Sequence, residues 1–224
     1  MAATRPRILV ALAALMLSIV GAPAHAAAAT PAELAQALQR KVDAIKDFSA
    51  DFVHSYEGGV LHKRLTERGH LLVKKPGKMR WEYSAPDEKL FVSDGVKLYS
   101  YIPQDKQVIV SSVPPGDQAT TPALFLAGKG DIVRDFSASY VNSTIPGTLA
   151  LKLMPRQSEP DYEYLVIAVD PATLQMRALT TRDREGGEST LVFNNLKENR
   201  GIPDKEFAFR IPRGVDVITD GTHN

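Results

Sequence analysis

The sequence predicts a mainly β fold with some helix (α+β): an incomplete antiparallel β-barrel of about ten or eleven strands closed by a helical lid. Three observations predict it. From Phe48 onward, apolar residues recur at every second position, the period of a half-buried strand rather than of a helix. Turn signals such as Gly58-Gly59, Pro76-Gly77, Asp94-Gly95 and Gly186-Gly187 cut the chain into short strands. Only one longer amphipathic helix and one short helical insert accompany them, enough to cover little more than one face of a large sheet. Met79, Trp81 and Tyr83 alternate with Arg80 and Glu82, so one face is apolar and the other wet. Curling the apolar face inward under the helices gives a half-barrel with a lid, a shape that leaves room for an internal cavity.

The elements follow in order. Arg5 and Arg7 precede an apolar run over residues 8–20 in which Ser18 is the only polar residue, and Ala24-His25-Ala26 has the small-x-small form of a cleavage site. Residues 1–26 therefore read as a cleaved signal peptide, because the run is too short for a membrane span of about 20 residues. The expected product is one exported domain, residues 27–224. In the next segment Thr30 caps a helix, Pro31 suits its first position and Glu33 closes a capping box. Leu34, Leu38, Val42 and Ile45 recur at helical spacing through about four turns.

The period then drops to two. Phe48, Ala50, Phe52, His54 and Tyr56 share a strand face, and further strands are expected at 61–74, 79–83, 90–92, 98–101 and 107–113. Pro114-Pro115-Gly116 interrupts this meander, and Thr121-Pro122 opens a short helix carrying Leu124, Phe125 and Leu126 that stops at Gly128. Strands resume at 136–142, 148–154, 162–169, 174–182 and 188–196. A last strand is expected at 207–211, before an extended tail through Val215 and Val217. No repeat and no long linker divides residues 27–224.

Composition narrows the function. Twenty-seven Lys and Arg balance 26 Asp and Glu, a net charge of +1 without the basic excess of a nucleic-acid binder. The chain has no cysteine, so it holds no disulfide, zinc–thiolate site or thiol nucleophile, and it lacks the cysteine that anchors a bacterial lipoprotein. It contains no G-x-S-x-G, H-E-x-x-H or P-loop motif, and no cofactor is expected. His54, His62 and His70 recur eight apart, but no carboxylate spacing completes a metal site, and they read as strand histidines. No residue set supports catalysis, so the chain is not expected to be an enzyme. Trp81 reads either as core or as the wall of a cavity.

The motifs together resemble a known family. Phe48-x-Ala50-x-Phe52 follows the amphipathic helix, then Gly69-His70-Leu71-Leu72-Val73-Lys74-Lys75-Pro76-Gly77-Lys78-Met79-Arg80-Trp81. Val92-Ser93-Asp94-Gly95, Leu98-Tyr99-x-Tyr101-x-Pro103 and Phe207-x-Phe209-x-x-Pro212-x-Gly214-Val215 come next in the same order. This set resembles the LolA family, the periplasmic lipoprotein carriers of Gram-negative bacteria.

The resemblance implies that the half-barrel shields the acyl chains of lipoproteins in the periplasm. It implies that the chain takes them from an inner-membrane ABC transporter to an outer-membrane receptor. The receptor of that system shares the fold but is itself a lipoprotein, so the missing cysteine favours the carrier. A monomer is expected, because a carrier must engage two membranes. The expected cavity wall is Phe52, Leu71, Val73, Met79, Trp81, Tyr83, Phe91, Tyr99 and Tyr101. The expected lid or plug is Leu34, Leu38, Val42, Leu124 and Phe125. Lys75 stands where the family commonly has an arginine that bonds lid carbonyls and latches the lid. Lysine keeps the charge but loses the planar fork. Two alternatives use the same fold: a periplasmic binder of free lipids or glycolipids, and an envelope sensor or regulatory module.

Overall fold

The computed structural model describes residues 29–58, 64–113 and 121–219, without the side chains of Pro122 and Leu124. The expected signal peptide, Gly59, His62 and the Pro114-Pro115-Gly116 break lie outside them.

Helix α1 (Pro31–Ala44) starts as its sequence requires. The Glu33 amide donates to Thr30 Oγ at 3.2 Å and the Thr30 amide donates to the Glu33 carboxylate at 2.7 Å. Strands β1 (Asp47–Glu57), β2 (Arg64–Lys74), β3 (Lys78–Ala85), β4 (Lys89–Asp94), β5 (Lys97–Ile102) and β6 (Gln107–Ser112) form the antiparallel meander. Helices α2 (Pro122–Leu126) and α3 (Ile132–Asp135) interrupt it. Strands β7 (Phe136–Val141), β8 (Leu149–Pro155), β9 (Tyr164–Val169), β10 (Met176–Arg182) and β11 (Glu188–Glu198) form a second meander. β12 (Asp216–Thr219) ends the described chain.

All twelve strands make one sheet in the order β12-β6-β5-β4-β3-β2-β1-β11-β10-β9-β8-β7. The edges β12 and β7 do not pair, so the barrel stays open. β1 pairs on one side with β2 and on the other with β11, and so joins the two meanders. Residues paired across antiparallel strands project to the same side, and the register therefore defines two faces. The inner face carries Phe48, Ala50 and Phe52 of β1, Leu71 and Val73 of β2, Met79 and Trp81 of β3, then Leu151, Ile167, Leu179 and Phe193 from the second meander. All are buried. Helix α1 covers this face with Leu34, Ala35 and Leu38, against β7 and α3.

One close approach shapes the inner face. Gly69 lies opposite Phe52, and a Cβ there would sit 2.0 Å from the Glu82 carbonyl oxygen and 2.7 Å from the Phe52 ring. Only glycine lets the ring lie over this position. It sits at a register shift between β2 and β3.

The C-terminal segment differs from expectation. Residues 207–211 are not a strand. Asp204–Phe207 form a 3-10 turn, and the last strand is β12, which pairs in parallel with β6. The alternation of Phe207 and Phe209 imitates a strand but has another cause. The segment lies on the outer face of the sheet, with Asp204 ion-paired to Lys74 at 2.5 Å and to Lys78 at 2.8 Å. Phe207 is buried there, and Phe209 stacks on Tyr99 and Tyr101 at 5.3 and 6.0 Å between ring centroids.

Candidate functional site

The inner face under α1, α2 and α3 is the place where the sequence expected wall and plug to meet. Leu34 and Leu38 are buried from the lid side, as is Phe125 of α2, whose ring meets Phe136 edge-on at 6.4 Å. Val42 packs half-buried against the same core. The Leu124 side chain lies outside the described residues. From the sheet side, Phe52, Leu71, Val73, Met79 and Trp81 are buried in the same cluster, with Tyr83 and Phe91 at its margin. The rings of Phe52, Trp81, Tyr83 and Phe91 form an edge-to-face chain with centroids 4.9–5.7 Å apart.

Tyr99 and Tyr101 are the correction. Tyr99 pairs with Val92 and Val110, and Tyr101 with Val108, so all five stand on the outer face. They pack under Phe209 rather than lining the interior. Their strand turns inward instead with Leu98, Ser100 and Ile102. In β5 the aromatic Tyr99 and Tyr101 alternate with Leu98, Ser100 and Ile102, so either face could have been the inner one; only the pairing to Phe91 and Val92 settles which.

The lid is tied to the sheet near the C-terminal end of α1. The Lys75 ammonium donates to the Val42 carbonyl at 2.6 Å, at the end of a helix where a cation is favoured. Burial lowers the Lys75 pKa from the usual lysine value, and Asp43 partly offsets this. The Lys75 stem lies against Gly128, where a Cβ would come within 2.6–2.9 Å of its Cγ, Cδ and Cε. Gly128 also has φ +84°, so it meets both demands at the end of α2. Gly77 donates from its amide to the Ala127 carbonyl at 3.3 Å. Lys75 thus touches both parts of the lid: it bonds α1 and supports the turn after α2.

Further bonds fix the junction between α1 and β1. Lys41 pairs with Glu198. The Lys46 amide donates to Asn199 Oδ1 at 2.8 Å, and buried Asp47 accepts from the amides of Arg200 and Gly201. α3 is tied to α1 by the Ile132 amide, which donates to Gln39 Oε1 at 2.7 Å.

A small cavity remains beneath this end of α1, lined among others by Leu38, Val42, Phe48, Phe125, Met176 and Phe193. Its free space is about 40 Å³. At roughly 10–15 Å³ per water-sized group, that admits about three such groups. A sixteen-carbon chain does not fit in this cavity.

Sequence reasoning missed several residues here. Met176 and Phe193 complete the cavity from β10 and β11, and the alternation of β11 was the available signal for Phe193. His54 faces inward and His70 outward, where it meets Asp51 at 2.9 Å, so these two do not converge. Glu67, 5% exposed, lies on the inner face with Lys89 at 2.5 Å and His54 at 3.2 Å.

Comparison with known proteins agrees with this architecture. The family model described as "Outer membrane lipoprotein carrier protein LolA" matches residues 43–210. A protein of Chromohalobacter salexigens named outer-membrane lipoprotein carrier protein is 31% identical, over 84% of this chain and 87% of its own. One of the same name from Cupriavidus pinatubonensis is 30% identical, over 96% of this chain and 99% of its own. Among solved structures, an uncharacterised conserved protein of Thermus thermophilus shares the fold with a TM-score of 0.52 at 13% identity, covering 84% of this chain and 99% of that one. With the half-barrel, the lidded apolar interior and a match over most of its length, the chain belongs to the LolA family of outer membrane lipoprotein carrier proteins.

Proposed function

We propose that this protein is a periplasmic carrier that shields the acyl chains of lipoproteins and moves them from the inner to the outer membrane. The observation that carries the reading is the lid: helices pressed onto an apolar sheet face and tied to it by a few polar bonds.

The energetics explain why such a device suits a carrier. Burying a methylene is worth about 0.8 kcal/mol, so a sixteen-carbon chain at full burial is worth roughly 12 kcal/mol. Binding of that strength would hinder release. Leu34, Leu38 and Phe125 already occupy the interior, and loading must displace them. The cost of losing those contacts offsets part of the gain. Lys75 sets another part, because its bond to Val42 must break. Phe52, Leu71, Val73, Met79, Trp81, Tyr83 and Phe91 then serve as wall. Apolar walls discriminate chains only weakly, by volume, so the choice of cargo falls to the membrane partners: an ABC transporter that loads the carrier and a receptor that unloads it. No catalytic step is needed.

The test is release. Inner-membrane vesicles holding the lipoprotein transporter and a tagged triacylated lipoprotein are given ATP and the protein lacking residues 1–26. A soluble one-to-one complex is expected. No release, from vesicles that do yield cargo to an established carrier, would refute the reading.

A further inference from the structure

The inner face ends in a polar band. His54 on β1, Glu67 on β2, Tyr83 on β3, Lys89 on β4 and Ser189 on β11 come from five neighbouring strands of the sheet. The register aims all five side chains inward. Lys89 donates to Glu67 at 2.5 Å. His54 bonds Glu67 through Nδ1 at 3.2 Å and Ser189 Oγ through Nε2 at 2.8 Å. The Lys89 ammonium lies 5.7 Å from the centre of the Tyr83 ring. Along β1 the band begins six residues after Phe48, about 20 Å from the end fastened to α1 at roughly 3.3 Å per residue. Between them the face is apolar.

Such a band is costly as packing. A buried ion pair generally stabilises a fold no better than apolar residues of the same volume. The band also borders a thinly covered part of the inner face. Phe91, Leu98 and Ile102 are only half-buried, and Ile109 is 37% exposed. An apolar floor bounded by polar groups suits a ligand with an apolar chain and a polar end.

The chemistry of the band specifies that end. Lys89 has three N–H donors, and Glu67 engages one of them. Tyr83 adds a hydroxyl, kept protonated by burial and by Glu67, which push its pKa to about 12. Ser189 adds another hydroxyl. Together they form a surface rich in donors, but Glu67 cancels the charge of Lys89. A carboxylate brought here would meet the Glu67 carboxylate; an uncharged acceptor would not. We propose that Tyr83, Lys89 and Ser189 hydrogen-bond the ester groups that join the acyl chains of the cargo to their polar head, and that Glu67 makes this site prefer an ester to a free carboxylate. The assignment rests on the carrier reading and adds to it where the chains stop and how a bound acyl ester differs from a fatty acid.

Twelve-carbon ligands test it at pH 7. Monolaurin and laurate, below their aggregation concentrations, compete with an apolar fluorescent probe for the protein lacking residues 1–26, and the ratio of their affinities is read. Glu67→Gln leaves Lys89 charged and unopposed, and should shift the ratio at least tenfold toward laurate. Tyr83→Phe keeps the ring and removes the hydroxyl. It should weaken monolaurin three- to tenfold more than it weakens the apolar probe. Circular dichroism melts establish that each variant folds, and Tyr83→Phe decides the matter if Glu67→Gln does not fold. Ratios within twofold of the parent's, with both ligands bound, overturn this assignment and leave the carrier intact. Failure of the parent to bind either ligand overturns both.

Discussion

Replacing Lys75 with Met keeps the length and the apolar stem of the side chain and deletes its bond to the lid. Hydrogen bonds with a charged partner contribute about 1.5–3 kcal/mol. Two features set the size here. The 2.6 Å bond to Val42 is short and lies at a helix end, which favours the upper part of that range. Burial of the ammonium, visible in its lowered pKa, counts against it. A net loss of about 1–2 kcal/mol follows, a factor of 5–30 in the balance between closed and open lid. While the open state is the minor one, apparent affinity for an acyl ligand rises by the same factor. Titration with a fluorescent acyl probe, beside urea unfolding, measures both effects. Lys75→Met should bind the probe 5–30 times more tightly, and Lys75→Arg should stay close to the parent. A lowered unfolding midpoint with probe affinity unchanged within twofold would refute the argument. It would mean that Lys75 supports the fold without governing the lid.

The contact between Gly128 and Lys75 can be separated by a double-mutant cycle. Gly128→Ala meets both the positive φ and the Lys75 stem, and should cost about 1–3 kcal/mol by chemical denaturation. Adding Lys75→Ala should recover about 0.5 kcal/mol or more, and additive losses would show that the stem does not collide. Leu38→Ala removes a side chain 1% exposed and should lower stability by about 2–5 kcal/mol, with probe affinity rising because less plug is displaced. Asp204 has its pKa lowered from 3.8 to about 2 by Lys74 and Lys78. Its stabilising effect is fully present above about 3.8 and is lost as pH falls through about 2. Asp204→Asn should therefore melt lower than the parent at neutral pH, and the two should converge near pH 2. Phe209→Ala should lower stability by about 1–2 kcal/mol without changing probe affinity. Ile109→Ala on the opposite face should weaken the probe at little cost in stability.

The start of α1 was legible because its signals are local. Thr30, Pro31 and Glu33 act within one turn, and Leu34 and Leu38 repeat at the period of a single helix. The burial of Phe52 and Trp81 on one face was legible for a similar reason, since alternation fixes a face wherever its neighbours are charged, as Arg80 and Glu82 are. Tyr99 and Tyr101 were misread where that condition fails. Leu98, Ile102, Tyr99 and Tyr101 are all large and largely apolar, and the side that turns inward depends on register with β4 and on a segment more than 100 residues away. The same distance hid the polar band, whose five residues are scattered from 54 to 189 and meet only across strands. Phe207 and Phe209 alternate like a strand, but Asp204 anchors them as an irregular segment.

That outer segment answers a difficulty any lidded carrier faces. A floor reserved for cargo adds little to stability while it is empty, because its apolar side chains keep part of their surface in water. β4, β5 and β6 leave Phe91, Leu98, Ile102 and Ile109 part-exposed on the inner face. Their own burial comes from the other side, where Val92, Val108 and Val110 are at most 9% exposed and Phe209 covers Tyr99 and Tyr101. β12 occupies the edge of β6 and so closes a row of backbone groups that would otherwise invite another strand. Two parts of the sheet are therefore stabilised from opposite faces. β1 to β3 and β7 to β11 rest on the lid from inside, whereas β4 to β6 rest on the C-terminal segment from outside. A lid that lifts removes packing from the first group and leaves the second intact. The strands whose inner side chains stay part-exposed are then the ones whose packing does not depend on the lid.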